Sequence, residues 1–282
     1  MSFSHIATPG GNIKQMPFQG LTGLGGGATG LQYASSGGAG DLITDGLIVY
    51  WNAIPANVSG VYTSDTSGNG WSSLEAKWSS ASSNYNSSRN GGAWECPSNS
   101  TANNYFDVGN SITFGTGGSN NQGTDFTFFI GGQWHSGKQD SYAMFFTGQD
   151  GNNFIGQGSS GNWRMDSNQD LKADANGGTD IGTSIAVVYF TMNSSGVGKF
   201  YLNGSTGGGG SYGDGRALYD GGVGNWNGDN IVINSMNAYG GTGAGMSYAS
   251  AHYLFFAGAY DRVLDASEIS DNWAVHQNRL GI

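Results

Sequence analysis

Charge, proline and cysteine are all scarce in this sequence. Lysine and arginine number 10 and aspartate and glutamate 20, so 11% of the 282 residues are charged, where about 25% is usual. The few cations are scattered along the chain, so the basic footprint that nucleic acid binding requires is missing. With one cysteine, Cys96, the chain has neither an intrachain disulfide nor a cysteine-cluster metal site.

Long apolar runs are also missing. No segment approaches the roughly 20 apolar residues of a membrane-spanning helix. The N-terminus lacks the cationic and apolar regions of a secretory signal. We therefore expect a protein that is made in a cytoplasm and does not insert into a membrane.

Glycine and aromatic residues, by contrast, are abundant. Glycine accounts for 52 of 282 residues, and 37% of the chain is hydrophobic, with 13% aromatic. That hydrophobic content is enough for a buried core, whereas glycine inside a helix costs about 1 kcal/mol relative to alanine. The composition predicts an all-β protein with many tight turns.

Short apolar runs alternate with glycine, asparagine and serine segments from residue 45 onward. Their aromatic and β-branched residues predict about eight to twelve strands and a β-sandwich. The glycine run 207–210 is predicted to be a loop tip. The predicted strands are 47–51, 126–130, 143–146, 153–155, 185–190, 199–202, 231–233 and 253–256.

One helix is predicted, over residues 265–280. Asp265 is placed to cap its N-terminus, and Glu268, three residues later, completes a capping box. We interpret the histidine on its apolar face as a packed side chain rather than a ligand. That face contains Ile269, Trp273, His276 and Leu280.

Residues 1–44 differ from the rest and are predicted to form an extended glycine-rich arm. The first 40 residues contain 11 glycines and one charged residue, Lys14, and have no helical or strand period. Such a segment buries too little surface to fold alone. We interpret it as an arm that becomes ordered on an assembly partner, with a disordered tail as the alternative. The candidate anchors are Phe3, Ile6, Ile13, Met16, Phe18, Leu21 and Leu24.

Four motifs follow one another in residues 45–282. They are the opening strand 46–51, the turn DTSGNG at 65–70, the strand pair 185–189 and 199–204, and the closing segment AYDRVLDASEI at 259–269. As an ordered set they resemble laminin-G-like, concanavalin A-like jelly rolls, in the divergent form common in bacteriophage virion proteins. The resemblance implies a β-sandwich jelly roll with a short C-terminal helix, preceded by the arm.

The same resemblance implies a non-enzymatic bacteriophage virion structural protein, either a capsid decoration or a head-fibre-like component. The arm would attach it to other virion proteins, and strand addition would link it to copies of itself. The expected location is the virion, after synthesis in the host cytoplasm. An alternative hypothesis is a tail fibre or receptor-binding lectin that recognises host surface glycan. A third is a polysaccharide-cleaving enzyme.

Little in the sequence supports catalysis. Glycoside hydrolysis needs two carboxyl groups about 5–10 Å apart, and alternate residues of one strand would place them so. The chain has three glutamates, Glu75, Glu95 and Glu268, and no predicted strand carries two carboxylates at i and i+2. There is no G-x-S-x-G nucleophile elbow either. We therefore expect no enzymatic activity and no cofactor.

Calcium is the one ion that the resemblance raises. Laminin-G-like domains often hold calcium near the turn that corresponds to 65–70 and near an acidic pair before the closing tyrosine. Asp65 and Asn69 would supply oxygen ligands, but Phe255 and Phe256 stand where the acidic pair would be. Two interpretations stay open: Asp65 bonds the backbone amides of its own turn, or Asp65 and Asn69 bind calcium.

Three aromatic residues are candidates for glycan binding. Trp163, Trp226 and Tyr239 lie in segments rich in glycine and asparagine that are predicted to be loops. Aromatic faces beside amide side chains suit a carbohydrate surface. The alternative is that these rings pack against the sandwich edge or a neighbouring subunit.

Overall fold

In the computed structural model, two antiparallel sheets pack face to face and one helix lies on the outer face of the first. The chain divides into two units, Met1–Gln32 and Tyr33–Ile282, and every described residue belongs to the second. The predicted arm anchors lie outside the described residues. Those described are 41–77, 81–96, 105–108, 125–134, 143–148, 154–157, 163–167, 170–175, 181, 183–193, 197–211, 231–233 and 251–282.

Within these ranges the chain forms seventeen strands, one α-helix and three single-turn 3-10 helices. The 3-10 helices are Pro55–Asn57, Ala81–Ser83 and Arg89–Gly91, and the α-helix, α1, is Ala266–Leu280. The strands are β1 (Leu47–Asn52), β2 (Val58–Ser59), β3 (Tyr62–Thr63), β4 (Leu74–Lys77), β5 (Tyr85–Asn86), β6 (Ala93–Glu95), β7 (Tyr105–Asp107), β8 (Phe126–Trp134), β9 (Ala143–Gly148), β10 (Phe154–Gln157), β11 (Trp163–Ser167), β12 (Asp170–Ala175), β13 (Ile185–Met192), β14 (Val197–Leu202), β15 (Ser205–Ser211), β16 (Ile231–Ile233) and β17 (Ala251–Tyr260).

The two sheets have the antiparallel order of a jelly-roll sandwich. The first sheet runs β15-β14-β13-β8-β17-β6-β5, and β1 also pairs with β17. The second runs β12-β11-β10-β9-β16-β7-β4-β3-β2. Each of the eight predicted strands has a counterpart in this arrangement. The predicted fold class is therefore confirmed: an all-β sandwich jelly roll with a short C-terminal helix.

The strand β8 shows why the first sheet needs cover on both sides. Phe128 and Ile130 belong to the apolar cluster between the sheets, whereas Phe129 points the other way, into a second cluster. Because side chains alternate along a strand, an unbroken apolar run places aromatic rings on both faces. All of these side chains are fully buried, so α1 has to cover the outer face.

The helix begins and ends where the sequence predicts. Asp265 caps its N-terminus and forms a full capping box with Glu268, and Gly281 ends it in the left-handed conformation. Its buried face differs from the predicted one at one position. Asn272 is fully buried there, whereas Trp273, which was predicted to be on that face, is partly exposed. No helix in the described part of the chain has the length and apolar composition to span a bilayer.

Asn272 is buried because it closes a ring of three hydrogen bonds. Its Oδ1 accepts from the backbone N–H of Ile43 at 2.9 Å, and its Nδ2 donates to the Tyr260 hydroxyl at 3.0 Å. That hydroxyl donates in turn to the carbonyl of Ile43 at 2.9 Å. Burial raises the pKa of the Tyr260 phenol, so it remains a donor. We call this ring the Ile43 clasp, since it fastens the start of the sandwich to α1.

Two glycines make room for the aromatic rings beneath α1. A Cβ on Gly131 would lie 2.3 Å from the Phe256 ring, and one on Gly258 would lie 2.4 Å from the Phe129 ring. Real Cβ atoms do not approach other carbon atoms so closely, so these positions exclude any larger residue. Part of the glycine excess therefore reflects packing rather than turns.

The sequence predicts a loop tip for the glycine run 207–210, but the structure shows that this run is part of strand β15. Its backbone pairs with β14, with Gly208 opposite Phe200 and Gly210 opposite Gly198. The prediction was wrong because it used side-chain pattern alone. A strand ladder is made of backbone N–H and C=O groups, so a neighbouring strand can hold residues that have no side chains.

His276 lies on the buried face of α1 among aromatic rings, as predicted. Its ring stacks on Phe256 with 4.1 Å between centroids and is also close to Tyr50, Phe129 and Tyr189. Neither ring nitrogen has a hydrogen-bond partner in the described part of the chain. Burial, with a smaller contribution from the Arg279 charge, lowers the pKa of His276 from 6.5 to about 3.

We predict that this histidine makes the domain sensitive to acid. Between pH 6.5 and about 3 the unfolded chain binds a proton at His276 that the folded chain does not. The free energy of unfolding should therefore decrease by up to about 1.4 kcal/mol for each pH unit in that window.

Thermal melts across this pH range, for the native protein and His276→Leu, provide the measurement. Both proteins share their carboxylates, so the native Tm should fall more steeply with decreasing pH than the variant Tm. Parallel curves would contradict the prediction.

Candidate functional site

A row of chemically different side chains crosses the outer face of the first sheet. Glu95 of β6 pairs directly with Tyr253 of β17, which pairs with Gln133 of β8, which pairs with Ile185 of β13. Directly paired residues on antiparallel strands point to the same face and lie side by side. All four are partly exposed. The row therefore places a carboxylate, a phenol, an amide and an aliphatic chain next to one another on the surface.

Arg89 extends over this row from the 3-10 helix Arg89–Gly91. Its guanidinium carbon lies 4.5 Å from the centre of the Tyr253 ring, in cation–π geometry. Its Nη2 donates a 2.6 Å hydrogen bond to Oε1 of Gln133. Gln133 is itself held, since its Nε2 donates to the carbonyl of Thr183 at 3.0 Å. The guanidinium is therefore fixed in position and orientation.

His252 adds an imidazole at the end of the row. Its ring centroid lies 4.2 Å from that of Tyr253, and its Nε2 is 3.8 Å from Oε1 of Glu95. The side chains of His252 and Glu95 are 35% and 45% exposed, so both are open to a ligand. We refer to Arg89, Glu95, Gln133, His252 and Tyr253 together as the Arg89 surface.

The Arg89 surface combines the donor and acceptor types that a polyhydroxyl ligand needs. Arg89 supplies only donors and Glu95 only acceptors, while the Tyr253 hydroxyl supplies both. Sugar hydroxyl groups donate and accept hydrogen bonds, so they can be satisfied at each of these positions. The half-buried ring of Tyr253 gives the surface an apolar centre.

Sequence reasoning missed this surface because no short motif encodes it. Its members are far apart in the sequence: Arg89 and Gln133 are 44 residues apart, and Gln133 and Tyr253 are more than a hundred apart. They meet only because β6, β17 and β8 pair with one another. The one available signal was polar Gln133 inside the apolar run of β8.

The predicted glycan-binding residues fall largely outside the structural description. The predicted loop position of Trp163 is wrong, because Trp163 begins β11 and its backbone pairs with Gln157 and Ala175; its side chain is outside the structural description. Trp226 and Tyr239 lie outside the described residues. Glycan binding by these three stays a prediction.

The predicted calcium residues Asp65 and Asn69 both hold the edge of β1. Oδ1 of Asp65 accepts from the backbone N–H groups of Tyr50 and Ser67, at 3.0 and 2.9 Å. Its Oδ2 accepts from the Ser67 hydroxyl at 2.9 Å and from the N–H of Trp71 at 3.1 Å. Nδ2 of Asn69 donates to backbone carbonyl groups of β1. The turn therefore occupies the side of β1 that faces away from β17.

This bonding leaves Asp65 poorly suited to bind a metal. A carboxylate has about four acceptor positions, and the four hydrogen bonds to Asp65 occupy them. In the described part of the chain, no three His, Cys, Asp or Glu side chains are grouped to hold a metal ion. A calcium ion would have to displace these donors, and the calcium role of Asp65 and Asn69 stays a prediction.

One pair of carboxylates is formed across strands. Glu75 of β4 lies directly opposite Asp107 of β7, an arrangement that spacing along one strand does not reveal. The ammonium group of Lys77 lies 2.6 Å from Glu75 and 3.9 Å from Asp107. Lys77 therefore compensates the charge of both groups, as in a structural ion pair.

Comparison with known proteins places the chain in a fold but not in a family. No family profile and no curated protein matches it. Domain 4 of AbnA, a GH43 extracellular arabinanase from Geobacillus stearothermophilus, solved in complex with arabinotriose, matches 80% of this chain over 97% of its own, with a TM-score of 0.51 and 12% identity. Two further solved structures that match this chain belong to longer proteins.

The botulinum neurotoxin serotype D binding domain matches 83% of this chain, with a TM-score of 0.54 and 13% identity. Trypanosoma rangeli sialidase in complex with sialic acid matches 82%, with a TM-score of 0.51 and 14% identity. This chain spans 52% of that toxin chain and 33% of that sialidase chain. At these identities the likeness is one of fold, and it confirms the sandwich part of the resemblance inferred from the sequence.

We predict that Asp65→Ala lowers the free energy of unfolding by about 1–3 kcal/mol, because it leaves backbone N–H groups of the turn without acceptors. Asp65→Asn, which keeps one acceptor oxygen, should lose less. Chemical denaturation measures both, with Asp41→Ala as the control because Asp41 is an exposed carboxylate.

The same proteins test the calcium role. We expect the Tm of the native protein to be the same with added calcium and with a chelator. A calcium-dependent rise in Tm that Asp65→Asn abolishes would instead support ligation by Asp65.

Proposed function

We propose that the jelly roll is a non-catalytic carbohydrate-binding domain that recognises saccharide through the Arg89 surface. The observation that carries this proposal is the directly paired row Glu95, Tyr253 and Gln133, with Arg89 held over its centre. A few convergent polar groups around an aromatic centre are the usual composition of a ligand site.

The rigidity of the row supports a binding role. Glu95, Tyr253 and Gln133 stand on paired strands, and Arg89 is held by Gln133. Side chains that are already ordered lose little conformational entropy when a ligand arrives. The structural likeness to an arabinanase domain solved with arabinotriose is consistent with this proposal and adds to it by analogy of fold.

We also propose that the domain is displayed on a bacteriophage particle through residues 1–44. The feature that favours display is the Ile43 clasp, together with the ion pair of Arg262 with Asp45 at 3.0 Å. These contacts fix the chain where it enters the sandwich. A domain pulled through a tether needs such a firm point of attachment, and the virion location follows from the sequence resemblance.

We predict that the protein binds oligosaccharides on a glycan array and that Tyr253→Ala or Gln133→Ala reduces the affinity at least about ten-fold, equivalent to about 1.4 kcal/mol. Tyr62→Ala is the matched control, since Tyr62 is a 46% exposed tyrosine on the second sheet. Trp163→Ala and Trp226→Ala test two of the aromatic residues that the sequence analysis named for glycan binding in the same assay.

Three results would contradict the proposal. A flat array with the intact protein would remove carbohydrate binding. Binding that only the two tryptophan variants reduce would move the site from the Arg89 surface to Trp163 and Trp226. Release of reducing sugar from a bound polysaccharide would show that the domain is catalytic.

We predict that deletion of residues 1–40 leaves a folded sandwich that no longer joins particles. Residues 41–46, which carry the clasp and the Asp45 ion pair, remain in the shortened chain. Circular dichroism and thermal melting check the fold, and particle purification from infected cells checks incorporation. Incorporation of the shortened protein at the native level would contradict attachment through the arm.

A further inference from the structure

We infer that the saccharide recognised by the Arg89 surface carries a carboxylate group and that Arg89 binds it. This inference rests on the proposed function and names the ligand class for the same site. It starts from the ion pairing of Arg89, which differs from that of a second arginine, Arg262, among the described residues.

The contrast with Arg262 defines what Arg89 lacks. Arg262 holds both oxygens of Glu268, at 2.9 and 2.7 Å, and is also paired with Asp45. Arg89 has no carboxylate within ion-pair distance in the described part of the chain, and its hydrogen-bond acceptor is the neutral amide of Gln133. A partly buried guanidinium without a counter-charge is costly to keep. A ligand that supplies the negative charge would remove that cost.

The backbone around Arg89 is fixed before any ligand binds. Oδ1 of Asn86 accepts from the backbone N–H of Arg89 at 3.1 Å. Asn90 donates to the carbonyl of Leu280 at the end of α1, and Arg279 donates to the carbonyl groups of Asn90 and Gly92. The 3-10 helix that carries Arg89 is therefore tied to α1, so the position of the guanidinium is set by the fold.

The guanidinium also has a free edge. Its Nε is enclosed and has no acceptor among the described residues, and one N–H of Nη2 is used by Gln133. Nη1 makes no hydrogen bond to a described residue and is not enclosed. Nη1 and the second N–H of Nη2 are the donors that remain for the oxygens of a carboxylate.

The order of the row gives the bound sugar a direction. Glu95 and Gln133 lie on opposite sides of Tyr253, so about two strand spacings, or roughly 10 Å, separate their strands. A carboxylate bound by Arg89 beside Gln133 is thus kept away from the negative charge of Glu95. The hydroxyl groups of the same sugar would reach toward Glu95, which accepts hydrogen bonds.

Local charge rather than overall charge would select this ligand. The formal net charge of the chain is −10, so the protein as a whole does not attract anions. At physiological ionic strength, charges beyond about 8 Å are screened, and Arg89 is the charge in contact with the ligand. A charge-assisted hydrogen bond is roughly twice as strong as a neutral one, which favours an acidic sugar over a neutral one of the same shape.

Calorimetric titration of the full-length protein with matched pairs of compounds tests the inference. The pairs are trigalacturonic acid with its methyl ester and sialyllactose with lactose. We expect at least one acidic compound to bind about ten-fold more tightly than its neutral partner, with a preference that weakens as salt increases. Arg89→Gln should abolish the preference, and Arg89→Lys should retain part of it.

Controls separate this inference from the proposed function. Lys199→Gln removes an exposed cation elsewhere and should leave the preference unchanged. Thermal melting shows whether Arg89→Gln is folded. If it is not, Gln133→Ala provides a second test, because it removes the acceptor that orients Arg89 and should reduce the preference for the acidic compound. Equal affinity for acidic and neutral partners would overturn the inference and leave carbohydrate binding intact. Absence of binding to both would overturn the two together.

Discussion

The structure depends on one constraint: the first sheet is apolar on both faces. Phe128 and Phe129 are neighbours in β8, and both are fully buried, one between the sheets and one beneath α1. A sandwich buries one face of each sheet without further help, so the second face requires a helix. The capping box, the Ile43 clasp and the glycines that admit aromatic rings all serve to hold α1 on that face. The Arg89 surface lies on the same face, where the side chains stay partly exposed.

Local patterns predicted the parts of the fold that local chemistry decides. The apolar runs gave the strands, and Asp265 with Glu268 gave the beginning of α1, because both signals lie within a few residues. Asn272 was not predicted, since its burial depends on hydrogen bonds to Tyr260 and to Ile43, which is 229 residues away in the chain. The same reason applies to β15, whose glycines are held by the backbone of β14.

The candidate site was harder to predict than the fold. Sequence reasoning looked for aromatic residues in loops, whereas the Arg89 surface is built from strands that pair across the sheet. The pairing of charged side chains at this surface also depends on the folded arrangement of the chain. Arg262 has a carboxylate partner, whereas Arg89 has none within the part of the chain that the structure describes, and this difference is visible only after the strands are placed.

The turn at Asp65 also protects the edge of β1 from the addition of another strand. Only 11% of its residues are charged, so few charged side chains are available to protect the edge of a strand. An open strand edge is a template on which another chain can add a strand and begin to aggregate. The N–H and C=O groups on this edge of β1 are hydrogen-bonded by the turn, through the side chains of Asp65 and Asn69 and the backbone of Thr66. Another strand therefore cannot pair with them. At this edge the backbone groups that a second chain would pair with are already hydrogen-bonded within the protein.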